Sequence, residues 1–462
     1  MTRPPGSSLG AVGLWPPAPL TLARLTARLV RNVMRAERAS YGLIQTFATQ
    51  VFVLLLNMAT GIVTARLLGA AGRGEFTAIT IWPQLLATIG AIGLPSAIVY
   101  QVRRNPAAVD AVIGAAVTVG LVLLMLVYAA GAVLVPLWLG AYDERVRMVA
   151  EICVLFSVNH LFTILLRPVL LADRKWSAYN LTQYGPPLLY LALLGLLAAV
   201  GKVTAISAAF AILFSGCPFF VWMMAIVLFR GRTVSLRRGR RFLRPLLSYA
   251  GRNSPNELIH ALFGFLDRLV LVGLLTPAGL GLYAVAYSFS RVLGMIPQSI
   301  MAITFPAMSG MSESEVEHLY GHAFRFTLYV SAASTALMLL LKDLLIALAF
   351  GPNFAGAGDI FAVLVVEMMV TGLGQTTVQC FLALARPGIV SAAQAVSLAS
   401  AVALMVTFVP QYGPIAAAAS MLAGSVLRLG LLLVGLKLVL RFGLPRLFIT
   451  RSDIAYAIGK FT

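Results

Sequence analysis

Twelve long apolar runs follow one another along this chain, and they constrain its fold more than any other feature of the sequence. Each run is at least as long as the roughly 20 residues that an α-helix needs to cross a bilayer. The runs are too long for the ~10-residue alternating strands of a membrane β-barrel. The sequence therefore predicts an all-α integral membrane protein with about twelve transmembrane helices. The predicted spans are residues 44–65, 76–101, 111–139, 148–172, 178–200, 203–229, 254–275, 279–306, 320–341, 357–384, 388–410 and 413–440.

The shortage of charge favours the same class of protein. Only 11% of the 462 residues are charged, whereas soluble domains carry about 25%, so the polar surface is too small to cover a soluble globule. A net charge of +19 could attract nucleic acid. The basic residues, however, lie mostly in short segments between the apolar runs, as they do in cytoplasmic loops. We therefore expect a membrane environment and no nucleic-acid partner.

The distribution of Lys and Arg predicts the orientation of the chain. If the N-terminus is inside, the cytoplasmic segments hold 23 of these residues and the outer loops hold six, which favours both termini in the cytoplasm. Residues 1–40 are expected to form a disordered tail and then a basic amphipathic helix on an anionic leaflet. This helix is predicted because five Arg recur every three or four residues between positions 24 and 38. Residues 442–462 are expected to form a cytoplasmic tail.

The chain also looks internally duplicated. An Arg-rich stretch, residues 231–252, divides the predicted spans six and six, and a shift of 207 residues aligns segment 67–76 with segment 274–283. We interpret this as two duplicated six-helix bundles, residues 41–230 and 253–441, joined by a cytoplasmic linker. The aligned pairs are Gly72 with Gly279, Gly74 with Gly281, Phe76 with Tyr283, and Trp82 with Phe289.

Polar residues inside the predicted spans are the candidates for a functional site. A charge at the bilayer centre costs about 2.5–3.5 kcal/mol on insertion scales, so such side chains are expected to face an internal cavity or a partner. Glu257 and Arg268 lie three helical turns apart and share a face of the seventh span. The residues expected to line the cavity are Gln50, Asn57, Gln84, Asn256, His260, Tyr283, Tyr287, Gln298 and Gln375.

Among the candidate charged residues in these spans, arginine outnumbers the acidic residues. A cavity lined by guanidinium groups suits an anionic substrate, and phosphate above all, because Arg offers phosphate a planar fork of N–H donors. The alternative is that these side chains are paired helix-packing charges, or reach from the span ends to water. The arginines are Arg167, Arg268, Arg291, Arg325 and Arg428, and the acidic residues are Glu151, Glu257, Asp267 and Glu367.

No motif for metal, nucleotide or hydrolytic chemistry stands out. The three cysteines lie far apart in apolar runs, without the spacing of a metal site. The glycine spacing before Lys202 is one residue too long for a phosphate-binding loop, and Val203 stands where that loop needs Ser or Thr. We therefore expect no cofactor. Because no nucleotide-binding motif is found, any transport by this protein would be driven by an ion gradient, by another protein, or by the concentration gradient of the substrate.

Three segments of the first half, 61–69, 72–76 and 93–97, resemble the opening of bacterial polysaccharide flippases of the multidrug/oligosaccharidyl-lipid/polysaccharide exporter superfamily. Asp267-Arg268, followed by Gly281-Leu282-Tyr283 and Pro297-Gln298, resembles the start of the second bundle in that superfamily. The resemblance implies a V-shaped pair of six-helix bundles in the bacterial cytoplasmic membrane, alternating access and a central cationic cavity. The implied cargo is an undecaprenyl-diphosphate-linked oligosaccharide. It would move from the inner to the outer leaflet during exopolysaccharide, capsule or O-antigen assembly.

On this hypothesis the diphosphate binds Arg268, Arg291 and Arg325. A proton or sodium ion would be coupled through Glu257, Asp267 or Glu367, and other glycan-assembly proteins are candidate partners. An ion-coupled multidrug exporter stays open as an alternative, although that branch favours acidic sites. A membrane glycan polymerase or glycosyltransferase is a further alternative, but such enzymes usually need a large outer loop with catalytic acids, and the predicted outer loops here are short.

Overall fold

The computed structural model describes residues 22–140, 142–229, 233–308 and 310–443, together with residues 445 and 448. It divides into two units, residues 1–50 and 51–462, and every interaction discussed below lies within the second. The predicted tail 1–19 and almost all of 442–462 lie outside the described residues. So do the side chains of the predicted amphipathic helix.

The described chain is almost entirely helical, which confirms the predicted all-α class. Short tight turns join several of the helices, and no strand occurs among the described residues. The α-helices are α1 Leu22–Gly90, α2 Leu94–Arg104, α3 Val109–Trp138, α4 Glu144–Cys153, α5 Ser157–Ala172, α6 Trp176–Ala199, α7 Ala205–Met224, α8 Leu236–Leu274, α9 Pro277–Ser290, α10 Met295–Met308, α11 Glu313–Leu340, α12 Lys342–Phe350, α13 Ala357–Ala383, α14 Pro387–Tyr412 and α15 Pro414–Gly435.

Ten helical segments of the described chain are long and apolar enough to cross a membrane. One of them, residues 48–90, covers most of two predicted spans, 44–65 and 76–101, because α1 continues through a kink at Gly69. Helix α8 is not among the ten, since its first half is rich in Arg, but it contains the predicted seventh span. Counting both, the helices agree with the predicted number of about twelve spans.

Two glycines with positive φ interrupt the helical path of the first two predicted spans. Gly69, with φ of 68°, kinks α1 where the sequence predicted an outer loop, so most of that loop is helical. Gly93, with φ of 78°, stands between the end of α1 and the start of α2 and interrupts the predicted span 76–101. Glycine adopts this conformation without the steric penalty that a Cβ atom imposes.

The predicted cytoplasmic linker and the predicted seventh span form one continuous helix, α8. Its first half is amphipathic: Leu246 and Ala250 are buried, whereas the arginines that precede them are exposed. It packs against α3 at backbone distance, since a Cβ atom at Gly239 would lie 2.5 Å from the amide nitrogen of Ala115. Helix α8 also contacts α14 and therefore touches both halves of the chain.

The duplicated positions occupy equivalent places in one core. Phe76 and its counterpart Tyr283 are buried, as are Trp82 and its counterpart Phe289. All four belong to a single apolar cluster that draws helices from both halves of the chain. The shared burial explains why aromatic residues recur at these positions after a shift of 207 residues.

Candidate functional site

The site begins at a tightened helical turn in the predicted eighth span. Residues Arg291–Gly294 form one 3-10 turn between α9 and α10. Pro297 follows three residues later. Because proline has no N–H group and its ring clashes with the carbonyl of the residue four positions earlier, regular α-helix cannot continue through Leu293. The interruption places Arg291 at a break in the helix.

Tyr287 brings two of the predicted arginines together. The guanidinium carbon of Arg291 lies 4.4 Å from the centre of the Tyr287 ring, and that of Arg268 lies 5.4 Å from it. Arg291 also donates a hydrogen bond to the Tyr287 hydroxyl. Aromatic rings attract cations through their quadrupole, by about 0.5–2 kcal/mol. Tyr287 therefore holds two positive charges near each other, on α8 and at the end of α9.

Neither arginine is neutralised by direct contact with a carboxylate. Among the described residues, no Asp or Glu oxygen forms an ion pair with Arg268 or Arg291 within 4.0 Å. Arg268 instead donates to the carbonyl of Gly264 at 2.8 Å, in its own helix. Both guanidinium groups are half-buried. Their remaining N–H donors can therefore bind an anion.

Two buried carboxylates lie near this pair. Asp267 is 3% exposed, and its Oδ2 accepts a hydrogen bond from the Tyr283 hydroxyl at 3.4 Å, while its Oδ1 is buried without a hydrogen-bond partner. Glu367 is also 3% exposed. Both interact electrostatically with Arg291. The carboxylates thus moderate the positive charge of the site.

The other predicted site residues are less closely associated with this pair. Arg325 lies on α11, and its Nη2 atom is 3.3 Å from the Nδ1 atom of His322. Tyr283 is fully buried and supports the site from beneath Tyr287, so it does not line an accessible surface as predicted. Gln50, Asn57, Gln84 and Gln298 are exposed and Gln375 is half-buried, while the side chains of Asn256 and His260 lie outside the described residues.

Glu257 has a structural role that the sequence did not predict. Its two carboxylate oxygens accept hydrogen bonds from the Gly93 amide at 2.7 Å and from the Ser96 hydroxyl at 2.8 Å. These donors lie at the first turn of α2, where helical N–H groups lack partners and the helix dipole favours an anion. Glu257 on α8 therefore caps α2, which gives this charge a structural role.

Replacing Glu257 by alanine is expected to lower the free energy of unfolding by about 1–2 kcal/mol, because α2 loses its cap. Thermal unfolding in detergent measures the change. Glu257→Gln should lose less, since the amide oxygen can still accept a hydrogen bond. The exposed Glu151→Ala is the matched control. Equal stability of Glu257→Ala and the wild type would refute the capping role.

The duplicated glycines meet each other at the end of the molecule that the sequence predicts to face outside. A Cβ atom at Gly74 would lie 1.7 Å from the carbonyl oxygen of Pro277, and one at Gly281 would lie 1.9 Å from that of Ala70. Ala70 and Pro277 are themselves related by the shift of 207 residues. The contact, which we call the glycine junction, is therefore symmetric with respect to the two halves.

Two further side chains close the same end through hydrogen bonds. Arg66 donates to the carbonyl groups of Leu348 and Ala349 at the end of α12, where unpaired carbonyls favour a cation. The indole nitrogen of Trp138 donates to the carbonyl of Leu269 at 2.7 Å. Together with the glycine junction, they join the first half to the second at the predicted outer end.

Three solved structures with a similar fold are described as a flippase or as transporters. A structure described as lipid II flippase MurJ, inward closed conformation, matches with a TM-score of 0.70 and 14% identity, over 86% of this chain and 87% of that one. An inward-facing multidrug resistance MATE family transporter of the MOP superfamily matches with a TM-score of 0.68 and 16% identity, over 87% and 98%. A MOP superfamily transporter from Pyrococcus furiosus matches with a TM-score of 0.54 and 16% identity, over 87% and 95%.

These likenesses show that the chain has the MOP transporter fold. No curated protein sequence matches it. A family model described as "Polysaccharide biosynthesis protein" matches residues 63–359, which is more than half of the 462-residue chain. The protein therefore belongs to this polysaccharide biosynthesis family, as the sequence motifs indicated.

Proposed function

We propose that this protein is a flippase that moves an undecaprenyl-diphosphate-linked oligosaccharide from the inner to the outer leaflet of the bacterial cytoplasmic membrane. Both termini would lie in the cytoplasm. The observation that carries the proposal is the pair of cations, Arg268 and Arg291, which both lie against the Tyr287 ring without a carboxylate in direct contact. A diphosphate carries charge and acceptor oxygens on two adjacent phosphates, which suits two neighbouring guanidinium groups.

The family and the fold support the same substrate class. The family model is described as a polysaccharide biosynthesis protein, and one solved neighbour is described as a lipid II flippase. In the proposed cycle the diphosphate binds at the arginine pair while the lipid tail stays in the bilayer. The glycine junction, Arg66 and Trp138 close the outer end until the substrate is bound.

Replacing Arg291 by alanine is expected to reduce flipping at least about tenfold, since one hydrogen-bonding cation of the site is lost. The assay uses proteoliposomes that contain a diphosphate-linked oligosaccharide lipid, and an added glycosidase measures how much of the sugar reaches the outside. Arg386→Ala, at an exposed position outside the site, is the matched control. Wild-type flipping by a normally inserted Arg291→Ala variant would remove this residue from the site.

The same preparation distinguishes the alternative function. An ion-coupled drug exporter would move cationic dyes, whereas two unpaired arginines should repel them. Dye export by the wild-type protein, without movement of the diphosphate lipid, would overturn the flippase proposal.

A further inference from the structure

A further arginine, on α15, is more deeply buried than Arg268 and Arg291. Arg428 on α15 is fully buried. Its Nη2 atom donates to the carbonyl of Thr371 on α13 at 3.4 Å. A Cβ atom at Gly374 would lie 3.2 Å from that Nη2 atom, so the glycine leaves room for the guanidinium group. The small residue at position 374 therefore allows a cationic side chain to be buried in the interior of the second half.

Glu367 lies in the same cluster and is bonded as a charged carboxylate would be. Its Oε1 atom accepts hydrogen bonds from the hydroxyls of Thr371 at 2.6 Å and of Ser425 at 2.7 Å. Glu367 and Thr371 are four residues apart on α13, and Ser425 and Arg428 are three apart on α15, so each pair shares a helix face. A buried carboxylate of this kind needs a nearby cation, because an uncompensated charge inside a protein is strongly unfavourable.

Two arginines can supply that cation. Among the described residues neither Arg428 nor Arg291 forms an ion pair with Glu367 within 4.0 Å. Both lie close enough to interact with its charge, and the two arginines also repel each other. If Arg291 is to bind phosphate, it cannot also serve as the counter-ion of Glu367. Arg428 has no exposed surface, and its hydrogen bond to the Thr371 backbone fixes it beside the cluster. Arg291, in contrast, is half-buried and is held by Tyr287.

We propose that Arg428 is the resident counter-ion of Glu367, and that it thereby keeps Arg291 free for the phosphate groups of the substrate. Arg428 is then a positioning residue, which acts through Glu367 and does not itself touch the substrate. This inference rests on the proposed flippase function. It also separates the two buried acids, because Glu367 has a permanent partner and ion coupling then falls to Asp267.

The proposal makes a specific prediction for charge removal. In Arg428→Gln the side chain stays polar, but Glu367 loses its counter-ion and the remaining cation is Arg291. Pairing between them would withdraw Arg291 from the site. In the double variant Arg428→Gln/Glu367→Gln both charges are gone, and Arg291 is free again.

The test measures binding of farnesyl diphosphate to the purified protein in nanodiscs, with farnesol as the uncharged control. We expect Arg428→Gln to bind the diphosphate about tenfold more weakly than the wild type, and the double variant to return to within about threefold. Arg428→Lys should bind like the wild type, because it keeps the charge. Binding is the readout, since Glu367 could also affect transport steps that follow binding.

Each outcome decides the question. If the double variant binds as weakly as Arg291→Gln, Arg428 contacts the substrate or only supports the fold, and the proposal is wrong. Wild-type binding by Arg428→Gln would also overturn it. Should Arg428→Gln fail to fold, the double variant, in which both charges are removed, still tests the proposal through its affinity for the diphosphate. Failure of the proposed function looks different: the wild type would not bind farnesyl diphosphate, or Arg291→Gln would leave its affinity unchanged.

Discussion

Alanine at Gly74 or Gly281 is expected to open the predicted outer end of the protein and to reduce flipping at least about tenfold. The added methyl group would overlap a backbone carbonyl oxygen, at 1.7 Å for Gly74 and 1.9 Å for Gly281. Neither carbonyl can rotate away as a side chain could, so the two halves must separate there. Overpacking usually costs about 1–3 kcal/mol, enough to shift a two-state equilibrium about tenfold or more.

The neighbouring motif glycines are matched controls. A Cβ atom at Gly279 would lie 3.4 Å from the nearest atom, and one at Gly72 would meet only a leucine side chain of its own helix. Alanine at any of these positions raises helix propensity by a similar amount, so a difference between the pairs reports the junction. Intact cells labelled from outside with an impermeant thiol reagent would show the opening, using Gln375→Cys in a background without the three native cysteines.

The symmetry of the glycine junction sharpens this prediction. Gly74→Ala and Gly281→Ala should change labelling in the same direction and by similar amounts, although they lie in different halves of the chain. An increase at one position only, or the same increase in Gly72→Ala and Gly279→Ala, would mean that the junction does not control the outer end.

Asparagine at Asp267 is expected to abolish the dependence of transport on an ion gradient while diphosphate binding persists. Asp267 is buried beside Arg291 and has one carboxylate oxygen without a hydrogen-bond partner. A proton or sodium ion that binds there would cancel its charge and strengthen the positive field of the arginine pair. Asn keeps the shape of the side chain but is permanently neutral. The coupling ion then has no carboxylate to bind at this position.

Proteoliposomes with an imposed proton or sodium gradient measure this effect. We expect the wild type to flip several-fold faster with the gradient than without it. The Asp267→Asn variant should flip at one rate in both conditions. Asp343→Asn, at an exposed position, should behave like the wild type. A gradient response that survives in Asp267→Asn would exclude this carboxylate as the coupling group.

The span number and the repeated glycines could be predicted from the sequence because both depend on local patterns. Apolar length defines a span, and a shift of 207 residues aligns Gly74 with Gly281 whatever the tertiary structure. The sequence could not predict that Gly74 contacts Pro277 and that Gly281 contacts Ala70, because these contacts depend on how the two halves pack. The predicted seventh span lies almost entirely within α8, but the continuity of that helix with the Arg-rich linker depends on close packing against α3.

The candidate site was predicted in part for a similar reason. The stripe of Tyr287 and Arg291 follows from helical periodicity. The contact between Tyr287 and Arg268 joins two helices, and no spacing rule contains it. The capping contacts of Glu257 could not be predicted, because the sequence does not show that α2 begins beside it. Arg428 was counted among the arginines of the spans, but its relation to Glu367 needed the packing of α15 on α13.

The glycine junction has a consequence for the origin of the chain. Gly74 touches the counterpart of Ala70, and Ala70 touches the counterpart of Gly74. Two identical copies of a half-length protein would form this self-complementary contact around a twofold axis. An ancestral homodimer could therefore have closed its extracellular side before gene fusion joined the two copies.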